Sequence, residues 1–118
     1  MTYTRIYADA NGETHLQDVS VDMKTADHAS SMSAIIAAKG VIFRTSASED
    51  YFVDWHNAPR RQYVITLAGA VEIGLGDGSV HRFGPGEGIL AEDLTGKGHT
   101  TRAVGNEPRI TVTIPLAG

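Results

Sequence analysis

The chain of 118 residues predicts an all-β fold, and three observations carry that expectation. Short runs rich in β-branched and aromatic residues recur along residues 41–114. Gly-, Pro-, Asn- and Asp-containing stretches punctuate them at the spacing of a sandwich or barrel. The one segment rich in Ala, Ser and Met, residues 23–38, lacks clean helical periodicity. The length is that of a single domain spanning 1–118, large enough for a core without disulfides or a structural metal.

Taken in order, Arg5-Ile6-Tyr7 and residues 16–21 read as strands on either side of Asp9-Ala10-Asn11-Gly12. Residues 23–38 read as an arm or loop, with one helical turn expected near residues 31–36. Val41-Ile42-Phe43-Arg44-Thr45 follows Gly40 as a compact strand. Residues 51–56 form the next, stopped by Asn57-Ala58-Pro59. Residues 62–67 and 71–75 read as strands joined through Ala68-Gly69-Ala70. Gly76-Asp77-Gly78 predicts a hairpin turn, because glycine accepts the positive φ that tight turns require. Residues 79–83 pair back, and 88–91, 99–104 and 109–114 complete the set. Pro85, Pro108 and Pro115 fall at strand ends, where a missing amide donor costs least.

Composition narrows the function classes. There is no cysteine, so no disulfide framework and no thiolate metal site. The net charge is -4 with both signs interspersed, and no Lys/Arg block marks a nucleic-acid footprint. Apolar runs are short and interrupted, so no membrane span is expected, and Met1-Thr2-Tyr3-Thr4-Arg5 begins no apolar signal region. A cytoplasmic protein acting on a small molecule is the resulting expectation.

The stretch Trp55-His56-Asn57-Ala58-Pro59-Arg60-Arg61-Gln62, closed by Gly69 after six intervening residues, carries the most specific signal. It resembles the first motif of the cupin family, His-x-His, then a Glu, then a Gly. His56 stands at the first His position, Ala58 at the second, and Gln62 at the Glu. Phe83-Gly84-Pro85-Gly86-Glu87-Gly88-Ile89-Leu90 is similar to the turn and strand of the second motif, and His99 stands where its single His falls. The resemblance covers roughly residues 40–114. It implies an antiparallel β-barrel, a jelly roll, over 40–114, with residues 1–39 as an N-terminal arm with strands. It also implies a homodimer, with residues 1–21 suited to joining the partner's sheet. The implied metal set is depleted: His56, Gln62 and His99 remain as ligands, and Ala58 donates nothing. A divalent ion, of unknown identity, would bind weakly there or not at all. Glu13, His15 and Asp54 are the residues that might otherwise be recruited.

If His56 faces inward, Gln62, Val64 and Thr66 share that parity on the next strand, and Thr101 shares a face with His99. The expected site is therefore a pocket with His56, His99 and Gln62 as chemical groups and Val64, Thr66 and Thr101 as its wall. An imidazole titrates near neutral pH and can carry a proton to or from a small substrate. In the segment 90–99, Asp93 is placed to orient an imidazole and Lys97 to meet an anionic substrate. The same segment also reads as a solvated hairpin. Arg44 and Arg61 are further possible cations, although alternation points Arg61 outward and gives Arg60 the inward parity. His81 and His28 have no partner in this scheme, and Trp55 reads as core or interface packing.

Three functions remain open on the sequence. The first is a small-molecule enzyme using histidine acid–base chemistry, of isomerase, cyclase or lyase type. The second is a metal-dependent cupin such as a dioxygenase, with an atypical ligand set. The third is a non-catalytic small-molecule-binding cupin. A fold alone does not choose among them. The first is expected, because the changes at Ala58 and Gln62 spare both histidines.

Overall fold

The computed structural model describes residues 1–47 and 51–118. It is all-β: β1 (Thr2–Ala8), β2 (Thr14–Ser20), β3 (Lys24–Thr25), β4 (Ser31–Met32), β5 (Ile42–Ser46), β6 (Phe52–His56), β7 (Gln62–Ala68), β8 (Ala70–Gly74), β9 (Val80–Phe83), β10 (Gly88–Glu92), β11 (His99–Val104) and β12 (Arg109–Pro115). A six-stranded sheet has the order β2-β1-β10-β7-β12-β5, and a four-stranded sheet the order β6-β11-β8-β9. The two sheets bury one another. Ile6, Ile89 and Ala91 of the larger sheet cluster with Val71, Ile73 and Phe83 of the smaller one and with Leu75 and Ala58. The Gly76-Asp77-Gly78 hairpin is present, with Gly78 N–H donating to the Leu75 carbonyl at 3.0 Å.

Four expectations need correction. Neither sheet closes into a barrel: the edge strands β2, β5, β6 and β9 form no ladder between the sheets among the described residues. The strands are not antiparallel throughout, because β1 runs parallel to β10, pairing Thr4 with Ile89 and Ile6 with Ala91. A parallel pair needs a long crossover, and the intervening chain supplies one. Residues 1–21 are therefore no outlying arm. Burying Ile6 against the core makes β1 an interior strand of its own chain's sheet. Finally, no helical turn forms at 31–36. Ser31–Met32 instead pairs with Lys24–Thr25 around a turn in which His28 and Ala29 both take positive φ.

The alternation of β12 is inverted relative to a simple inside-apolar rule. Thr111 and Thr113 are buried, whereas Ile110, on the opposite face, is 42% exposed. The neighbouring strands repeat this, with Phe43 78% and Leu67 55% exposed on the outer face. The inner face of β5, β7 and β12 is thus polar because it walls a cavity, and apolar residues are displaced to the outside.

Candidate functional site

A cavity of about 480 Å³ lies between the sheets. The large sheet contributes Ile42, Arg44, Gln62, Val64, Ile89, Arg109, Thr111 and Thr113, and the small sheet Val53, His56, Ile73, His99 and Thr101. Ala58 and Arg60 line it from the β6–β7 connection. All four positions of the motif resemblance, His56, Ala58, Gln62 and His99, therefore share one cavity.

A bulge explains how His56 reaches it. Along β6–β11, His56 pairs with His99 and Val53 with Thr101, so three steps on β6 oppose two on β11. The extra residue on β6 lets both Val53 and His56 face inward. It also frees the Asp54 carbonyl, which lies 2.7 Å from His56 Nδ1. A carbonyl only accepts, so Nδ1 is the protonated nitrogen and Nε2 carries the lone pair of the neutral ring. Gly98 (φ 78°) makes the opposing approach possible: a Cβ there would collide with the His56 carbonyl.

His99 is fixed from behind. Its Nδ1 lies 2.6 Å from Oδ2 of Asp93, and both residues are buried. The carboxylate accepts, so His99 also has Nδ1 committed. The Thr14 hydroxyl donates to the same oxygen at 3.3 Å, and the Asp93 carbonyl accepts from Ala58 N–H at 3.2 Å. The His56 and His99 ring centroids are 4.4 Å apart at 58°. Two imidazoles thus stand in contact, each held through Nδ1, with neither Nε2 hydrogen-bonded among the described residues.

The remaining sequence-derived positions divide clearly. Gln62, Val64 and Thr101 line the cavity. Thr66 is buried behind it, its hydroxyl 3.5 Å from Arg109 Nη2. Asp93 touches His99 rather than the cavity. Lys97 does not line it: its ammonium sits 4.1 Å over the Trp55 ring, on the exposed rim. Arg61 points outward to Glu92 at 2.9 Å, and His15 is engaged by Asp9 at 2.6 Å. Glu13, His15 and Asp54 are absent from the cavity wall.

Arg109 was not among the sequence candidates. It follows Pro108 at the start of β12 and looks like a solvated strand end. Its parity with Thr111 and Thr113 was the available signal. Burial lowers its pKa, Tyr51 opposes that shift and the nearby Arg44 charge adds to it.

The donor set does not fit a divalent metal. Two imidazole nitrogens are available, but the Gln62 amide oxygen already accepts from Arg60 at 2.8 Å. Among the described residues, three guanidiniums and no carboxylate line the space. No group of three His, Asp or Glu is arranged to hold an ion among the described residues. No helix there is long and apolar enough to cross a membrane. Neither a protein-family model nor a curated protein matches the chain.

Proposed function

We propose that the protein is a small-molecule enzyme of the cupin type, in which His56 and His99 move protons in the inter-sheet cavity. The reaction class is isomerisation, cyclisation or elimination. The observation that carries this reading is the contact between the two rings, 4.4 Å between centroids, with both Nδ1 atoms tied to acceptors. In this reading His99 Nε2 takes the proton, and the Asp93 carboxylate stabilises the imidazolium that results. His56 Nε2 serves the second position of the shift. The two-sheet strand order accords with a jelly roll, and the apolar outer face of β5, β7 and β12 supports a homodimer formed across it.

The test is hydrogen–deuterium exchange into carbon acids. A panel of small keto acids is incubated with protein in D2O and followed by NMR. Catalysed exchange at the carbon next to the carbonyl is expected, lost in His56→Ala and in His99→Gln. Exchange that persists in both variants would exclude the histidines. Saturable binding without exchange would leave a non-catalytic binding protein as the better account.

A further inference from the structure

The cavity is cationic within an acidic chain, and that contrast identifies what it takes. Arg44, Arg60 and Arg109 line it together with two imidazoles, and no Asp or Glu does among the described residues. None of the three guanidiniums is in an ion pair among the described residues, although the chain's net charge is -4. Guanidinium does not shed its proton, so these charges persist at any physiological pH.

Arg109 is the sharpest case. Among the described residues, its buried Nε has no hydrogen-bond acceptor and its side chain bonds only Thr66, at the long distance. A buried unpaired donor on a charged group is costly, and a bound acceptor removes that cost. Arg44 lies on the adjacent strand, paired with Thr111, two residues along β12 from Arg109. Residues at that offset on one face are diagonal neighbours. Their planar forks match carboxylate geometry.

Ile42, Val53, Val64, Ile73 and Ile89 give the wall an apolar part. We infer that the cavity is built for a small organic acid, its carboxylate held by Arg109 and Arg44 and its apolar body lying toward the histidine pair. Arg60, bonded to Gln62, stands at the far end of the same sheet, because Gln62 pairs with Pro115 and Arg109 begins that strand. The arginines stand on β5 and β12 and the histidines on β6 and β11 of the facing sheet. A substrate anchored at the guanidiniums therefore spans toward the proton-transferring groups. The inference deepens the proton-transfer reading and rests on the same cavity, but its test reads binding without turnover.

The experiment is calorimetric titration with matched probe pairs: benzoate against benzamide, 3-phenylpropionate against its amide, and glutarate against glutaramide, with inorganic phosphate alone as a further arm. At least one carboxylate should bind, with its amide at least tenfold weaker. Arg109→Gln and the exposed Arg44→Gln should each weaken that carboxylate at least tenfold, and rising salt should weaken it too. Because the titration reads binding alone, its outcome separates anion recognition from the fate of the proton-transfer reading. Arg44→Gln keeps the test decisive if Arg109→Gln fails to fold. Amides that bind as well as acids, native affinity in Arg44→Gln, binding of phosphate as tight as any organic acid, or no binding of any carboxylate would overturn the inference.

Discussion

His99 donates its Nδ1 proton to a carboxylate, that of Asp93, which has no solvent-exposed surface. The second carboxylate oxygen, Oδ1, has no partner among the described residues. Asp93 therefore depends on His99 and Thr14 for its compensation.

Removing His99 alone should cost more than its size implies. Neither histidine supplies much apolar burial, so loss of either alone implies an intact fold. The buried contact amends this for His99. His99→Ala should lower unfolding stability by about 3 kcal/mol, because it strands a buried carboxylate. His56→Ala, whose ring bonds only a carbonyl, should cost about 1 kcal/mol. Adding Asp93→Asn to His99→Ala should recover part of the loss. Denaturant unfolding of the four proteins checks the cycle, and strict additivity would mean the pair is not coupled.

Turnover should respond differently. On a substrate that exchanges, His99→Gln should reduce the rate by about 10²–10⁴-fold. Asp93→Asn should reduce it less, and should lower kcat more than it raises KM. An Asp93→Asn defect confined to KM would mean that Asp93 shapes the cavity without orienting the imidazole.

Ala58 and Gln62 share the cavity with both histidines, so Ala58→His with Gln62→Glu should create a divalent-metal site. Outer-shell changes alone move metal affinity by about 10–100-fold. Two added ligands, one of them charged, should exceed that. Nickel titration of both proteins is the measurement. Equal affinity would mean that these four side chains do not converge.

Glu92 links three strands' worth of chain on the outer face, accepting from Arg5 of β1 and from Arg61 just before β7. Burial pushes its pKa up, but the two arginines outweigh that and hold it below its ordinary value of 4.5. A depressed folded-state pKa contributes stability that is present above the unfolded value and lost as pH falls through the folded one. Glu92→Gln should therefore cost about 1 kcal/mol at pH 7, a modest figure because both arginines are partly exposed and screened. The difference from the native protein should shrink as pH drops below about 4.5. Melting temperatures across pH 7 to 3 check the sign. A difference that grows on acidification would refute the assignment.

Phe43 and Ile110 expose apolar surface on the outer face of the large sheet. The native protein should sediment as a dimer, burying about 800 Å² per partner. Phe43→Glu with Ile110→Lys should sediment as a monomer with an unchanged β-type circular dichroism spectrum. A native monomer would instead make this face a solvated one.

Local chemistry made much of this legible from sequence. Strand runs and turns are properties of neighbouring residues, so β5 to β12 fall within a residue or so of their expected ends, and Gly76-Asp77-Gly78 turns as its glycines require. The motif resemblance grouped His56, Ala58, Gln62 and His99, and all four line one cavity.

Only the tertiary structure decided the rest, because it depends on partners distant in the chain. Period-two alternation cannot anticipate the bulge that turns His56 inward beside Val53, since that bulge exists only against β11. Asp93 and Lys97 look alike as polar rim residues. A contact with Thr14, 79 residues away in the chain, joins that with His99 on the buried first, and Trp55 draws the second away from the cavity. β1 reads as an arm until its parallel register with β10 places it inside the sheet. Arg109 reads as a solvated strand end until pairing with β5 and β7 sets it in the same wall as Arg44. Sequence determines which residues can be strand, turn or proton carrier. Sheet order and register determine which of them meet, and here they set two imidazoles in one cavity with Arg44 and Arg109.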